Sequence, residues 1–246
     1  MKDCRVACVW IVVAGLLLGA CGNAKAQGIT QQQAEEMLKE LRAIRQALER
    51  VTPPPPGQAQ EKPVRLNNVV GYALGRPDAP LTLVEFTDLQ CPYCNRFSTT
   101  TFEQLKAAYI DTGKLRFISR DFPLDFHQNA MPAARATRCA GEQGRFWEMR
   151  TALVKNFKQL DAAFIASTAQ GLKLDMAAFG ACASSTKHDA AIAQDMNEGR
   201  SVGIEGTPSF VLGRTAAQGL DGVLIVGAQP FGAFDVKIKE MLGQTR

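Results

Sequence analysis

The most constraining feature of this sequence is a short apolar segment followed closely by two cysteines that are two residues apart. Residues 81–87 read Leu-Thr-Leu-Val-Glu-Phe-Thr, a pattern typical of a buried central strand. The motif Cys91-Pro92-Tyr93-Cys94 comes soon after it. Cysteine at the N-cap with proline at the first helical position predicts the start of a helix, and an amphipathic pattern extends that helix to about Tyr109. The segment therefore predicts a strand, a turn and a helix with Cys91 at the helix N-terminus.

This position of Cys91 favours thiol–disulfide chemistry. Free N–H groups and the dipole at a helix N-terminus stabilise an anion, so we expect a lowered pKa for Cys91. Cys94 lies within one turn and is less accessible, so Cys91 would attack a substrate and Cys94 would resolve the mixed disulfide. Zinc is the main alternative, but it needs four ligands and usually a second paired motif. The histidines (His127 and His188) and the remaining cysteines do not provide such a motif, so no metal is expected.

Residues 1–20 are predicted to be an export signal. Lys2 and Arg5 give a positive start, and residues 6–18 form an apolar run of signal-peptide length. That run is short for a membrane span, which needs about 20 apolar residues.

Two cleavage sites compete after this leader. Leu-Gly-Ala-Cys at residues 18–21 resembles the lipobox of bacterial lipoproteins, which makes Cys21 the candidate lipidated residue. Ala-Lys-Ala at residues 24–26 instead fits ordinary signal cleavage and would release a soluble chain. Both readings place the mature chain on the periplasmic side of the cell envelope or outside it, where disulfides persist.

Composition excludes several classes of protein. The 246 residues are 46% hydrophobic and 21% charged, unlike a disordered chain or a membrane protein with many spans. The net charge is only +4 and no long run of Lys or Arg accompanies it, so nucleic-acid binding is not expected. Four cysteines remain beyond the leader and Cys21, and an even number outside the cytosol suggests two pairs.

A self-associating helix is predicted within residues 21–52, the segment between the leader and a Pro-rich stretch. Thr30 and Gln33 have capping-box spacing. Apolar residues then follow the a/d pattern of a coiled coil for nearly three heptads: Ala34, Met37, Leu41, Ile44, Leu48 and Val51. A lone polar helix of this length is marginal in water, which favours a coiled coil joining two or three copies. The alternative is a helix folded back onto its own domain.

Consecutive prolines end this helix. Residues 53–56 are all proline, which lacks the N–H group and prefers the polyproline conformation. Residues 53–65 are therefore predicted to be a semi-rigid linker, with the globular domain at residues 66–246.

A second motif indicates the family. Residues 202–212 run through Thr207-Pro208 into another apolar strand. With Glu-Phe-Thr-Asp at residues 85–88 before the cysteine motif, and a closing strand and helix at residues 222–241, the sequence resembles the bacterial periplasmic DsbA-like thiol–disulfide oxidoreductases of the thioredoxin superfamily. The resemblance covers residues 66–246 and implies an α/β, thioredoxin-like fold with a helical insertion.

The resemblance also implies roles for individual residues. Pro208 would be a cis proline beside the disulfide, so that a substrate strand pairs next to Cys91, with Thr207, Pro92 and Tyr93 also contacting substrate. A plain strand-edge proline is the alternative.

Glu85 matches the family's buried acid, which implies proton exchange with Cys94. A buried carboxylate in an apolar strand is costly and has a raised pKa, whereas a glutamate on a solvated strand face is the alternative. Asp88 is predicted to be a turn residue and His127 a loop or packing residue.

The implied insertion spans about residues 125–186, a region rich in helix-forming residues. Cys139 and Cys182 fall inside it and are predicted to form a structural disulfide, which would contribute roughly 4 kcal/mol in a chain-entropy model. Two buried free thiols are the alternative.

These features predict an exported, lipid-anchored thiol–disulfide oxidoreductase that forms or rearranges disulfides in envelope proteins. The cysteine pair is itself the redox group, so no dissociable cofactor is expected. Expected partners are exported proteins with cysteines, a membrane redox partner, and further copies of this chain as a homodimer or homotrimer. The alternative function is a lipid-anchored surface protein that uses the thioredoxin-like fold for interaction without redox turnover.

Overall fold

The computed structural model describes residues 30–51 and 62–243. The predicted export signal, Cys21 and most of the predicted linker lie outside these residues. The chain divides into two compact units, Met1–Pro54 and Pro55–Arg246, and each is described by itself.

The first unit contains helix α1 (Gln31–Val51), as predicted. Its capping box is formed: the Thr30 N–H donates to Gln33 Oε1 at 3.0 Å and the Gln33 N–H donates to Thr30 Oγ1 at 3.3 Å. Apolar side chains at the a/d positions are more than half exposed, namely Met37 (52%), Leu41 (55%) and Ile44 (54%). The helix is confirmed, while the coiled coil stays a prediction.

The second unit is built on one six-stranded sheet. In chain order its strands are β1 (Pro63–Leu66), β2 (Tyr72–Leu74), β3 (Leu81–Thr87), β4 (Leu115–Asp121), β5 (Ser209–Arg214) and β6 (Leu220–Val226). Their order across the sheet is β1-β6-β5-β3-β4-β2. Strand β3 pairs in parallel with β4 and antiparallel with β5, and all its residues are buried. The apolar segment before the cysteine motif is therefore the central strand that the sequence predicts.

The start of the sheet corrects the predicted linker. Residues 63–65 were expected in the linker, but they belong to β1, which pairs antiparallel with β6 and places Pro63 opposite Val223. Proline has no N–H to donate, and it is tolerated here because it is the first residue of an edge strand. The Pro-rich composition of the neighbouring segment concealed this strand.

Nine helices surround the sheet or precede it in the described residues. After α1 they are α2 (Pro92–Thr99), α3 (Thr101–Leu105), α4 (Ala130–Glu142), α5 (Phe146–Lys155), α6 (Ala162–Gly171), α7 (Met176–Ala183), α8 (Asp189–Ser201) and α9 (Phe231–Met241). A π-helical turn (Lys106–Ile110) extends α3, and a 3₁₀ turn (Phe157–Gln159) follows α5.

One continuous helix from Cys91 to about Tyr109 was expected, and the structure breaks it at Thr100. The Thr100 backbone is non-helical, with φ −122° and ψ −74°. The hydroxyls of Thr99 and Thr100 both donate to the Arg96 carbonyl. Such side-chain bonds to the preceding turn compete with the helix's own ladder and bend it, which accounts for the interruption.

The helices cover both sheet faces and one end of the sheet. Phe97 of α2 and Phe234 of α9 pack with Phe210 on one face, and Ile204 and Val211 belong to the cluster on the other. Helices α4 to α7 form a separate core that includes Leu153 and Phe179 and also encloses Cys91 and Cys94. The cysteine motif therefore lies where the sheet meets the helical segment between β4 and α8.

Buried ion pairs attach this helical segment to the sheet. Arg138 on α4 donates through Nε to Asp121 at the end of β4, at 2.5 Å, and through Nη2 to Asp195 on α8, at 2.6 Å. Arg120 of β4 is also buried and contacts Asp195 and Glu198. These charges fix the orientation of α4 and α8 on the strand next to β3.

Candidate active site

Cys91 lies at the N-terminus of α2, as the sequence predicts. It is the N-cap residue with extended backbone angles, and Pro92 occupies the first helical position. Its own N–H donates to the Asp88 carbonyl at 3.1 Å, and its carbonyl accepts the first helical hydrogen bond from Asn95 at 3.0 Å. The sulfur therefore faces the free N–H groups at the start of the helix.

Several donors stabilise the Cys91 thiolate. A hydrogen bond from the Cys94 thiol lowers the pKa of Cys91 from 9.0 to about 6. Thr207 and the N–H groups of Cys94 and Tyr93 act in the same direction, whereas the burial of Cys91, which is only 3% exposed, opposes them. At neutral pH Cys91 is therefore mainly a thiolate, which is the form that attacks disulfides.

The pKa of Cys94 is shifted in the opposite direction from that of Cys91. It is fully buried, and burial together with the charges of Cys91 and Glu85 raises its pKa well above 9.0. The Asp88 N–H approaches its sulfur at 3.5 Å. Cys94 is thus a protonated thiol beside a thiolate, one helical turn deeper.

Glu85 lies on β3 and is completely buried. Its Oε2 forms an ion pair with Arg150, and its Oε1 has no hydrogen-bond partner in the structure. Burial raises the pKa of Glu85, although the Arg150 charge opposes that rise. The solvated strand face considered as an alternative is wrong, because β3 has a neighbour strand on each side and helices above and below.

Arg150 is a site residue that the sequence reasoning missed. It projects from α5 and is as deeply buried as Glu85, and its Nε donates to Ser119 Oγ at 3.1 Å. Ser119 is the residue opposite Glu85 in the β3–β4 register. A signal was present: Arg150 falls on the same helix face as Phe146, Met149 and Leu153, where a charged residue needs a buried partner.

The Thr207–Pro208 peptide bond is cis and lies beside Cys91. Cys91 Sγ is 3.4 Å from the Thr207 carbonyl oxygen, and Pro208 directly precedes β5. The two motifs, more than a hundred residues apart in sequence, are brought into contact because β3 and β5 are adjacent strands.

Pro92 and Tyr93 lie on the outer side of the same helix start. Tyr93 is 57% exposed, and the Arg96 guanidinium lies 5.3 Å from the centre of its ring. Both side chains are therefore accessible to a molecule that approaches Cys91.

Asp88 lies in the predicted turn and also connects that turn to the loop after β4. It caps the turn through Gln90 N–H at 2.7 Å, and its other oxygen accepts from Leu124 N–H and pairs with His127 Nδ1, each at 2.8 Å. His127 is a loop residue, as expected, but one that is tied to the cysteine turn. The loop after β4 is thereby held against the start of α2.

A surface cavity of about 470 Å³ opens next to this loop. Its lining combines residues 122–126 with Arg200 and residues 203–205, which lead into Thr207. Phe126 is 75% exposed at its rim.

Cys139 and Cys182 form a disulfide that joins α4 to α7. It belongs to the helical segment and not to the cysteine motif. A ring nitrogen of His188 lies within 4.8 Å of both sulfurs, but the sulfurs are bonded to each other and offer no thiolate to a metal ion.

We expect the ionisation of Cys91 to be measurable directly. Its alkylation rate should rise as the pH passes through about 6 and then level off, because the thiolate is already formed at neutral pH. Removing the hydrogen bond from Cys94 with Cys94→Ala should shift the midpoint upwards, towards the ordinary thiol value. The Cys91→Ser protein is the control, since it should show no transition near pH 6; an unchanged midpoint in Cys94→Ala would contradict this account.

A family model described as Thioredoxin matches residues 67–221. Among curated proteins, the Na⁺/H⁺ antiporter NhaA 3 of Salinispora tropica is 32% identical over 164 residues, or 66% of this chain and 24% of its own length. The antiporter NhaA 1 of Mycolicibacterium gilvum is 48% identical over 79 residues, 32% of this chain and 12% of its own length. This chain thus spans about a quarter or less of the length of these relatives. The antiport activity in their names belongs to those proteins.

Solved structures show the same fold. Alpha-DsbA1 of Wolbachia pipientis has a TM-score of 0.63 at 25% identity, covering 80% of this chain and 96% of that one. BdbD of Bacillus subtilis has a TM-score of 0.59 at 21% identity, covering 70% and 89%. The predicted α/β, thioredoxin-like fold and the resemblance to DsbA-like proteins are confirmed. Across residues 30–51 and 62–243, no helix is both long enough and apolar enough to span a bilayer.

Proposed function

This chain belongs to the thioredoxin family, and from that premise we propose that it is an exported thiol–disulfide oxidoreductase. It would form or rearrange disulfides in envelope proteins through the Cys91–Cys94 pair. One observation carries the proposal: the Cys91 sulfur lies at a helix N-terminus, beside the buried Cys94 thiol and 3.4 Å from the Thr207 carbonyl oxygen.

In the oxidising direction the reaction starts from a Cys91–Cys94 disulfide. A substrate thiolate attacks Cys91 Sγ, the bond to Cys94 breaks, and Cys94 leaves as a thiolate that takes up a proton. A second thiolate of the substrate then attacks the substrate sulfur that is bonded to Cys91, and the Cys91 thiolate leaves. Two electrons pass from two substrate thiols to the cysteine pair, and reduction runs through the same steps backwards.

Glu85 supplies the proton for Cys94 in this proposal. It is the carboxyl whose charge acts on Cys94, and burial raises its pKa, which favours its carrying a proton. Arg150 holds one oxygen in place and leaves Oε1 without a partner. Arg150 is accordingly a positioning residue.

Substrate would bind along the outer side of this pair. The Thr207–Pro208 backbone offers the carbonyl of Thr207, Tyr93 and Pro92 offer exposed apolar surface, and the cavity beside Phe126 extends that surface. An extended peptide bound here would place its cysteine at Cys91.

The low pKa of Cys91 favours net oxidation of substrates. Stabilising the thiolate stabilises the reduced protein and so makes its disulfide a stronger oxidant. In a glutathione redox titration we expect the Cys91–Cys94 potential to lie nearer the roughly −120 mV of strong oxidants than the roughly −270 mV of thioredoxin.

The same titration, followed by catalysed oxidation of a reduced two-cysteine peptide, tests the proposal. A potential near that of thioredoxin would indicate a reductase that needs an electron donor. A protein that binds the peptide without exchanging disulfides would instead support the alternative, an interaction protein without redox turnover.

Self-association through α1 is the second part of the proposal. Three of its a/d side chains, Met37, Leu41 and Ile44, are more than half exposed, so a second or third copy would bury them. We expect Leu41→Asp to convert the assembly to monomers, because it places charge in the apolar seam, whereas Lys39→Asp on the opposite face should not. Light scattering measures both masses; a monomeric parent protein would remove this part of the proposal.

Export and lipid attachment at Cys21 rest on residues 1–26 and complete the proposal. The envelope location would give the enzyme access to exported proteins with cysteines and to a membrane redox partner.

A further inference from the structure

One wall of the surface cavity is tied to the turn that carries Cys91. That wall is the loop of residues 122–126. The Leu124 N–H donates to the Asp88 carboxylate at 2.8 Å, and the Asp88 carbonyl accepts from the Cys91 N–H at 3.1 Å. The position of this wall is therefore fixed relative to the nucleophile.

A second wall leads into the backbone that is proposed to bind substrate. Residues 203–205 line the cavity and precede Thr207, whose carbonyl oxygen is 3.4 Å from Cys91 Sγ. Two residues of chain span at most about 7 Å, so the Cα atom of Glu205 lies within that distance of the Cα atom of Thr207. A peptide whose cysteine meets Cys91 would bring a residue about two positions away to the cavity.

The cavity can take one long side chain. Its volume of about 470 Å³ lies within the roughly 300–1,000 Å³ of ordinary ligand pockets. Phe122 and Ile204 are buried and give it an apolar floor, whereas Phe126 is 75% exposed. The Phe126 ring meets His127 at a steep angle, with the ring centres 4.5 Å apart. The exposed faces of aromatic rings attract cations.

The charged groups of the lining favour a positive ligand. Asp125 and Glu205 are exposed, and neither carboxylate forms an ion pair or a side-chain hydrogen bond with any residue that the structure describes. The basic group of the lining is the Arg200 guanidinium, which lies 5.7 Å from the centre of the Phe122 ring. Two carboxylates and one guanidinium leave the lining with a net negative charge, so it would attract a cationic side chain and repel an anionic one.

We propose that this cavity binds a lysine or arginine side chain of the substrate, about two residues from the cysteine that reacts with Cys91. The alkyl stem lies on the apolar floor, and the cation lies near the carboxylates of Asp125 and Glu205 and against the Phe126 ring. This inference rests on the proposed oxidoreductase function. It names a class of substrate for that function: exported proteins with a basic residue close to a reactive cysteine.

Three peptides of one sequence test the inference with the full chain as the enzyme. Each is a reduced peptide with two cysteines, and it carries lysine, norleucine or glutamate two positions before and after the first cysteine. Norleucine has the four-carbon stem of lysine without its charge. The lysine peptide should have a KM roughly three- to tenfold lower than the norleucine peptide, and the glutamate peptide a higher one. The kcat values should be similar, because the cavity contacts a part of the substrate that does not react.

Asp125→Asn combined with Glu205→Gln should abolish the difference in KM between the lysine and norleucine peptides. The matched control is Glu103→Gln combined with Glu240→Gln, which removes the same charge from exposed positions on α3 and α9. These helices pack on the sheet face opposite the cluster of Phe122 and Ile204, so the control should keep the difference. In the parent protein, roughly 1 M salt should reduce it, since exposed charges are then screened.

Equal KM values for the three peptides would overturn the inference, as would a lysine preference that persists in the variant without the two cavity carboxylates. Oxidation of the norleucine peptide reports on the proposed function separately. If no peptide is oxidised, that function fails, while the affinities of the same peptides with serine in place of both cysteines still decide the lysine preference. Fluorescence anisotropy of labelled peptides measures these affinities.

Discussion

Replacing Cys91 with alanine will reduce catalysed disulfide exchange to the rate measured without protein. Cys91 is the sulfur whose pKa is lowered to about 6 and the one that lies beside the Thr207 carbonyl. Cys94 cannot take its place, because it is fully buried and its pKa is raised well above 9.0. Reduction of insulin disulfides by added dithiothreitol, followed by turbidity, measures the loss.

The control for this experiment comes from the same helix. Thr99 is exposed on α2 and its hydroxyl bonds only to carbonyls of the preceding turn, so Thr99→Ala should retain the activity. Cys94→Ala should accumulate mixed disulfides between Cys91 and substrate on a non-reducing gel. Activity that persists in Cys91→Ala would refute the proposed chemistry, and a clean gel for Cys94→Ala would refute the resolving role.

Replacing Arg150 with methionine will destabilise the protein by about 3–5 kcal/mol at neutral pH, the usual cost of removing one partner of a buried ion pair. Glu85 is completely buried, so its carboxylate would lose the charge that balances it. For a domain of this size the melting temperature should fall by roughly 6–20 °C, which thermal denaturation followed by circular dichroism can measure.

The pH dependence of that loss distinguishes the ion pair from simple packing. Arg150 lowers the pKa of Glu85 against the larger effect of burial, so without Arg150 that pKa rises further. Glu85 then takes up a proton more readily, and the destabilisation should shrink as the pH is lowered. A loss that is independent of pH would mean that Arg150 stabilises the fold through its side-chain packing alone.

Arg145→Met, at the N-cap of the same helix, is the matched control. Arg145 pairs with Glu148 at 2.7 Å, but both side chains are largely exposed, and exposed pairs of this kind contribute about 0–1 kcal/mol. A similar loss in the two variants would show that the Glu85–Arg150 pair has no special part in the stability of the site.

The elements that the sequence predicts well depend on neighbouring residues. The capping box of α1 and the start of α2 at Cys91 are found where expected, because caps and proline at the first helical position act within one turn. The break at Thr100 and the strand at Pro63 were missed. At Thr100, side-chain bonds to Arg96 outweigh helix propensity; at Pro63, pairing with β6 outweighs the linker-like composition.

The sequence by itself determined the cysteine motif, its place after a central strand, the Thr207-Pro208 motif and the acid at Glu85. Each of these is a local pattern whose meaning does not require knowing its distant neighbours.

Only the tertiary structure decided what surrounds that motif. Arg150 comes from a helix 65 residues beyond Glu85 in the chain, and His127 reaches Asp88 from the loop after β4. The disulfide between Cys139 and Cys182 likewise joins helices that are remote in sequence. The packing of strands and helices determines which residue pairs with a buried charge. Because that partner lies at no fixed distance along the chain, the sequence alone does not identify it.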